Sequence, residues 1–76
     1  MTQTTYSLRR SIELRENFRS EGYKPFERYF DAGGNLHIKL SHHNGTIIEI
    51  EVNEGGAAIY RNRILKKFEI FPNHNI

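Results

Sequence analysis

Leu36, Ile38 and Leu40 alternate with His37, Lys39 and Ser41, and after a short gap Ile48, Ile50 and Val52 alternate with Glu49 and Glu51. Period two with β-branched enrichment predicts two half-buried strands, and Asn44-Gly45 between them predicts a hairpin. A two-residue loop at Asn44-Gly45 would set Leu40 against Glu49 and mix apolar and charged side chains on both faces. A three-residue loop, His43-Asn44-Gly45, opposes Leu40 to Ile48, Ile38 to Ile50 and Leu36 to Val52. It also sets Lys39 against Glu49 and His37 against Glu51. One residue of slip reverses every side chain, so the three-residue loop is the expectation, with Gly45 as its left-handed residue; a five-residue loop keeps the same parity.

Upstream, the pattern changes period. Leu8, Ile12, Leu14 and Phe18 fall on one stripe at 100° per residue, which predicts a helix capped by Thr5 or Ser7, running to about Ser20 and stopped by Gly22. Ser11 and Arg15 intrude on that stripe. Phe26 to Asp31 read as a strand. Pairing Phe30 with Leu36 puts Phe26 and Phe30 on the core face, with Arg28 beside them opposite Ile38. The other face then carries two cross-strand rows, Glu27–Lys39–Glu49 and Tyr29–His37–Glu51.

The segment Ala57 to Phe71 fits two periods. As a helix, Tyr60, Ile64, Leu65, Phe68 and Phe71 share a face; as a strand, the alternation fails at Asn62 and Lys66. The expectation is a helix from about Ala58 to Lys67, with Phe68 to Phe71 as an alternative closing strand and Pro72 as the stop. The predicted fold is therefore α+β: an N-terminal helix packed on a three- to four-stranded antiparallel sheet, with a C-terminal helix. Residues 1–76 form a single domain, with tails at 1–4 and 73–76. In element order and length this arrangement is similar to the double-stranded-RNA-binding domain. That family's Gly-Pro-x-His-type loop has no counterpart in Gly33-Gly34-Asn35-Leu36-His37, and its lysine cluster has none in Ala57-Ala58-Ile59-Tyr60, so the resemblance assigns no residue a role.

Composition narrows the function classes. Seventy-six residues bury only about 60% of their unfolded surface, and the absence of cysteine removes disulfides and thiolate metal sites. No apolar run is long enough for a membrane span and no signal peptide is evident, so a cytoplasmic location and no membrane partner are expected. The net charge of +2 is small, but its distribution is uneven. Residues 1–24 carry five Lys/Arg and three Glu, residues 25–54 two basic and five acidic groups, and residues 55–76 four basic groups and one acidic.

Four candidate chemistries follow. Arg9, Arg10, Arg61, Arg63, Lys66 and Lys67, interleaved with aromatics, could contact nucleic-acid phosphates. Tyr29, His37 and Glu51 in one row, with Lys39 adjacent, resemble in outline the acid–base set of a small ribonuclease. His37, His42, His43 and His74 lack the convergent spacing of a zinc site, so no metal is expected, and the paired glycines fit no phosphate-loop pattern, so no cofactor is expected. The flat surfaces and the free edge of the first strand favour a fourth reading. It is a non-enzymatic protein-binding module, an inhibitory or regulatory protein of phage or mobile-element type that covers a partner's surface. A core this small also gains from a homodimer formed at an edge strand.

Overall fold

A computed structural model describes residues 5–72. One helix, α1 (Thr5–Ser20), is followed by five strands: β1 (Lys24–Phe30), β2 (Leu36–Ser41), β3 (Ile47–Val52), β4 (Gly56–Arg61) and β5 (Ile64–Ile70). The strands form one antiparallel meander in chain order. The predicted C-terminal helix is absent and the sheet has five strands rather than three or four, so the α-β-β-β-α order and its resemblance to the double-stranded-RNA-binding domain do not hold. The tails expected at 1–4 and 73–76, with His74, lie outside the described residues.

The central hairpin has the expected register. Leu36 pairs with Val52, Ile38 with Ile50 and Leu40 with Ile48, and all six are buried. The His42 amide donates to Thr46 and the Gly45 amide to His42, which closes a loop of His43, Asn44 and Gly45 with Gly45 at φ +94°. These side chains, with Leu14, Tyr23, Ala57, Ile59 and Phe71, form the core between sheet and helix.

The helix lies on that core by a different stripe from the one its apolar residues draw. Ser7, Ser11 and Leu14 are buried, Leu8 and Phe18 are partly so, and Ile12 is half exposed. Two serines one turn apart present almost no bulk, which suits a helix laid close on a β-branched sheet. The Ser11 hydroxyl is satisfied by donating to the Leu8 carbonyl at 2.6 Å. Ser7 therefore packs inside the first turn rather than capping it. At the other end Tyr23 N–H donates to Phe18 and Gly22 N–H to Arg19, a Schellman cap with Gly22 at φ +96°. The Phe18 and Tyr23 rings meet edge-to-face across it at 5.5 Å.

The predicted helix 58–67 is instead a hairpin, and the two positions where strand alternation fails are its irregular points. Asn62 (φ 49°) and Arg63 (φ 72°) are the left-handed pair of a two-residue turn between Arg61 and Ile64, the geometry of type I′. Lys66 is the extra residue where the β4–β5 register shifts. Asn62 also fastens the turn to β3: its amide donates to the Ile47 carbonyl and its side-chain oxygen accepts from the Ile47 amide, both at 2.9 Å. Along β4, Gly56, Ala57, Ala58 and Ile59 are all buried, so that strand shows no alternation.

The first strand departs from expectation as well. Phe26 is the extra residue of a bulge between Pro25 and Glu27, and both Phe26 and Phe30 are half exposed rather than core. The remaining pairs, Glu27–Lys39, Arg28–Ile38, Tyr29–His37 and Phe30–Leu36, are as predicted. Every residue of that strand is exposed.

Candidate functional site

The sheet face away from the helix carries the polar rows. His37 stacks flat on Tyr29, with ring centroids 4.7 Å apart and planes within 5°. Its Nε2 lies 2.8 Å from Asp31 Oδ2 and its Nδ1 3.1 Å from Glu49 Oε2, while Glu51 stands at 3.9 Å. Glu49 thus turns diagonally to His37 instead of completing the row with Lys39. Lys39 has Glu27 at 3.7 Å and sits 6.0 Å over the Tyr29 ring. Burial opposes a charged imidazole here, but hydrogen bonds to Asp31 and Glu49 and the field of Glu51 outweigh it, so His37 titrates above its ordinary value. The His37 hydrogen bond and the amides of Asn35 and Gly33 hold the Asp31 carboxyl down at about 2.

This face contains both a constellation that sequence reasoning found and one it missed. Tyr29, His37 and Glu51 are adjacent as predicted, but Asp31, the next outward-facing position after Tyr29, joins them. Ligand atoms of Asp31, His37 and Glu51 lie within 4.8 Å of one another, a spacing that could hold a metal ion. A cation there would have to displace the existing Asp31–His37 bond. A phosphate would meet three carboxylates around the one histidine, and Lys39 is shared with Glu27. That electrostatic setting opposes RNA cleavage.

The basic residues do not gather. Arg10 donates from Nε to Glu69 at 2.7 Å and from Nη2 to the other Glu69 oxygen at 2.9 Å, and it also meets Glu13 at 3.1 Å. Arg9 lies over the Tyr6 ring at 5.4 Å. Both are at the Glu69 end of β5. Arg63 is in the turn at the opposite end, and Arg61 and Lys66 line a recess there with Phe18, Glu21 and Tyr23. Lys67 faces the helix side opposite Ile59. Six residues of strand, roughly 20 Å, separate the two groups.

The third surface is a groove between α1 and the uncovered β1. Leu8, Ser11, Ile12, Arg15, Arg28 and Ile38 line a recess of about 260 Å³. It is continued along the strand by Pro25, Phe26 and Glu27. The Arg28 guanidinium sits 5.9 Å from the Phe30 ring centre. Arg15 bonds Glu16 at 3.2 Å. Sequence reasoning had named neither arginine as a site residue, although both were visible as faults: Arg15 interrupts the apolar stripe of the helix and Arg28 the apolar face of the strand. The fold brings the two faults together. No family model, curated protein or solved structure matches this chain.

Proposed function

We propose that the protein is a non-enzymatic protein-binding module that takes an acidic, apolar-bearing segment of its partner in the α1–β1 groove. One observation carries this reading: Arg15 and Arg28, each at an apolar position of its own element, line the same groove. Ile12 and Phe26, both half exposed, line it, and Phe30, also half exposed, lies beside Arg28. Large apolar side chains left in water beside two cations suit a ligand that buries the former and pairs the latter. A module of this kind acts by covering a surface, as inhibitory and regulatory proteins of phages and mobile elements do. Its lack of cysteine suits action in the cytoplasm. The nucleic-acid reading is weaker because Arg10 is committed to Glu69, and Arg9 lies at the other end of β5 from Arg61, Arg63 and Lys66. The ribonuclease reading is weaker because carboxylates crowd His37.

Selection from a displayed random-peptide library tests the proposal. Wild type should enrich peptides that combine Asp or Glu with aromatic or branched residues, and the R15E/R28E double variant should reverse the charge preference. Enrichment that ignores both substitutions, or none at all, would overturn it. Salt-sensitive binding of short duplex RNA or DNA in its place would restore the nucleic-acid alternative.

A further inference from the structure

The sheet has two edges, and they are built differently. β1 carries Pro25, which has no amide to donate, and a bulge at Phe26, both devices that blunt an edge. β5 keeps regular pairing from Lys67 to Ile70, with large side chains in water: Ile70 is 78% exposed, Phe68 55% and Leu65 53%. Its hydrogen-bonding phase follows from two bonds at its end. Phe71 N–H donates to Gly55 and Asn53 N–H to Gly56, so Glu69 and Lys67 turn their backbone groups toward β4. Phe68 and Ile70 consequently turn theirs outward.

We propose that this edge is self-complementary and pairs antiparallel with β5 of a second copy, centred on Phe68. A two-fold axis that joins two sheets face to matching face must pass through a residue paired with its own copy. Centring on Lys67 or on Glu69 opposes like charges. Centring on Phe68 sets Lys67 against the partner's Glu69, twice by symmetry. It also makes Phe68 the hydrogen-bonded pair that its outward backbone requires. The Lys67–Glu69 pairs then fall at the non-hydrogen-bonded positions, where side chains approach most closely.

The charges fit the monomer's own contacts. Among the described residues Lys67 has no carboxylate within salt-bridge distance, whereas Glu69 is held by Arg10. The field of Lys67 in the same chain already reaches Glu69, and the partner's Lys67 would add a further cation to that carboxylate. Lysines on an edge ordinarily repel another strand; here the charges oppose the registers centred on Lys67 and Glu69 and favour the one centred on Phe68. The product is a continuous ten-stranded sheet with both helices on one side and the two Phe68 rings together on the other. The groove at β1 is left free at each far end.

Sedimentation equilibrium across a concentration series tests the pairing. Wild type should dimerise, and K67E, which leaves the Arg10–Glu69 contact intact, should be monomeric at the same concentrations. E69K should also be monomeric, and an equimolar mixture of K67E with E69K should form a heterodimer, because every opposed pair is then of opposite sign. I70P removes an outward amide that β4 does not use and should likewise abolish the dimer, so the test does not depend on E69K folding. A wild type that remains monomeric to about 1 mM, or a dimer that survives both K67E and I70P, would overturn the proposal. Peptide selection at the groove should be unchanged by K67E, so the two proposals fail separately.

Discussion

Arg10 and Glu69 lie 59 positions apart and are joined by two parallel hydrogen bonds, 2.7 and 2.9 Å, that bind the middle of the helix to the last strand. Both side chains are about three-quarters buried. The Arg10 hydrogen bond, against the cost of burial, holds the Glu69 carboxyl below its ordinary value. A carboxyl depressed in the folded state stabilises above the unfolded value and loses that contribution as pH falls through the folded one. Glu69→Gln should therefore cost about 1 kcal/mol at neutral pH. The gap between variant and wild type, read from urea midpoints, should close in acid. A pH-independent gap would contradict this origin.

His37 provides the opposite sign. Its pKa is raised by Asp31, Glu49 and Glu51 over the opposing effect of burial, so its contribution is complete below the unfolded value and disappears as pH rises through the folded one. In an NMR titration the His37 ring should titrate above its value in the urea-unfolded chain. Asp31→Asn and Glu49→Gln should each lower it. An unmoved His37 in Asp31→Asn would show that the 2.8 Å contact does not form in solution.

The β4–β5 turn holds an arginine where glycine is cheaper. Arg63 has φ 72°, a conformation that costs a residue with a Cβ roughly 1 kcal/mol. Arg63→Gly should raise stability by about 0.5–1 kcal/mol. Asn62→Ala, which loses the bond to the Ile47 amide, should lower it by about 1–2 kcal/mol. Chemical denaturation of the two variants reads both signs.

Gly56 is a place where a side chain cannot be added. A Cβ there would run into the Glu69 carbonyl oxygen and lie 3.0 Å from the Phe68 ring. Gly56→Ala should destabilise by about 1–3 kcal/mol and loosen the β4–β5 pair. Faster amide exchange at Lys67 and Glu69 would report it. Unchanged exchange would mean that the strands shift to make room at little cost.

The central hairpin and its register were legible because polar and apolar residues alternate from Leu36 to Ser41 and from Ile48 to Val52, and only an odd-numbered loop keeps the two strands in phase. The C-terminal hairpin was not, for a physical reason. Gly56 to Ile59 are buried on both faces and show no alternation, Ala57-Ala58 favours a helix locally, and the Asn62-Arg63 turn lacks the glycine that usually announces type I′. Asn62 and Lys66, which broke the strand pattern, were the turn and the bulge. The helix was placed correctly along the chain but rotated about its axis, because close packing selected two serines over Ile12. Of the site, the Tyr29–His37–Glu51 row followed from register alone. The meeting of Arg15 with Arg28 needed the tertiary arrangement, since each looked like an isolated flaw.

Every strand in the sheet hydrogen-bonds its chain neighbour, whereas the contacts of the helix with the C-terminal segment span almost the whole chain, as Arg10–Glu69 and the Tyr6–Phe71 ring pair do. The two kinds of contact carry different entropic costs. A meander can zip hairpin by hairpin through short closures, each a microsecond-scale event, while docking the helix closes one long loop. Folding is thereby divided into a sheet that grows from local neighbours and a helix that fastens the result.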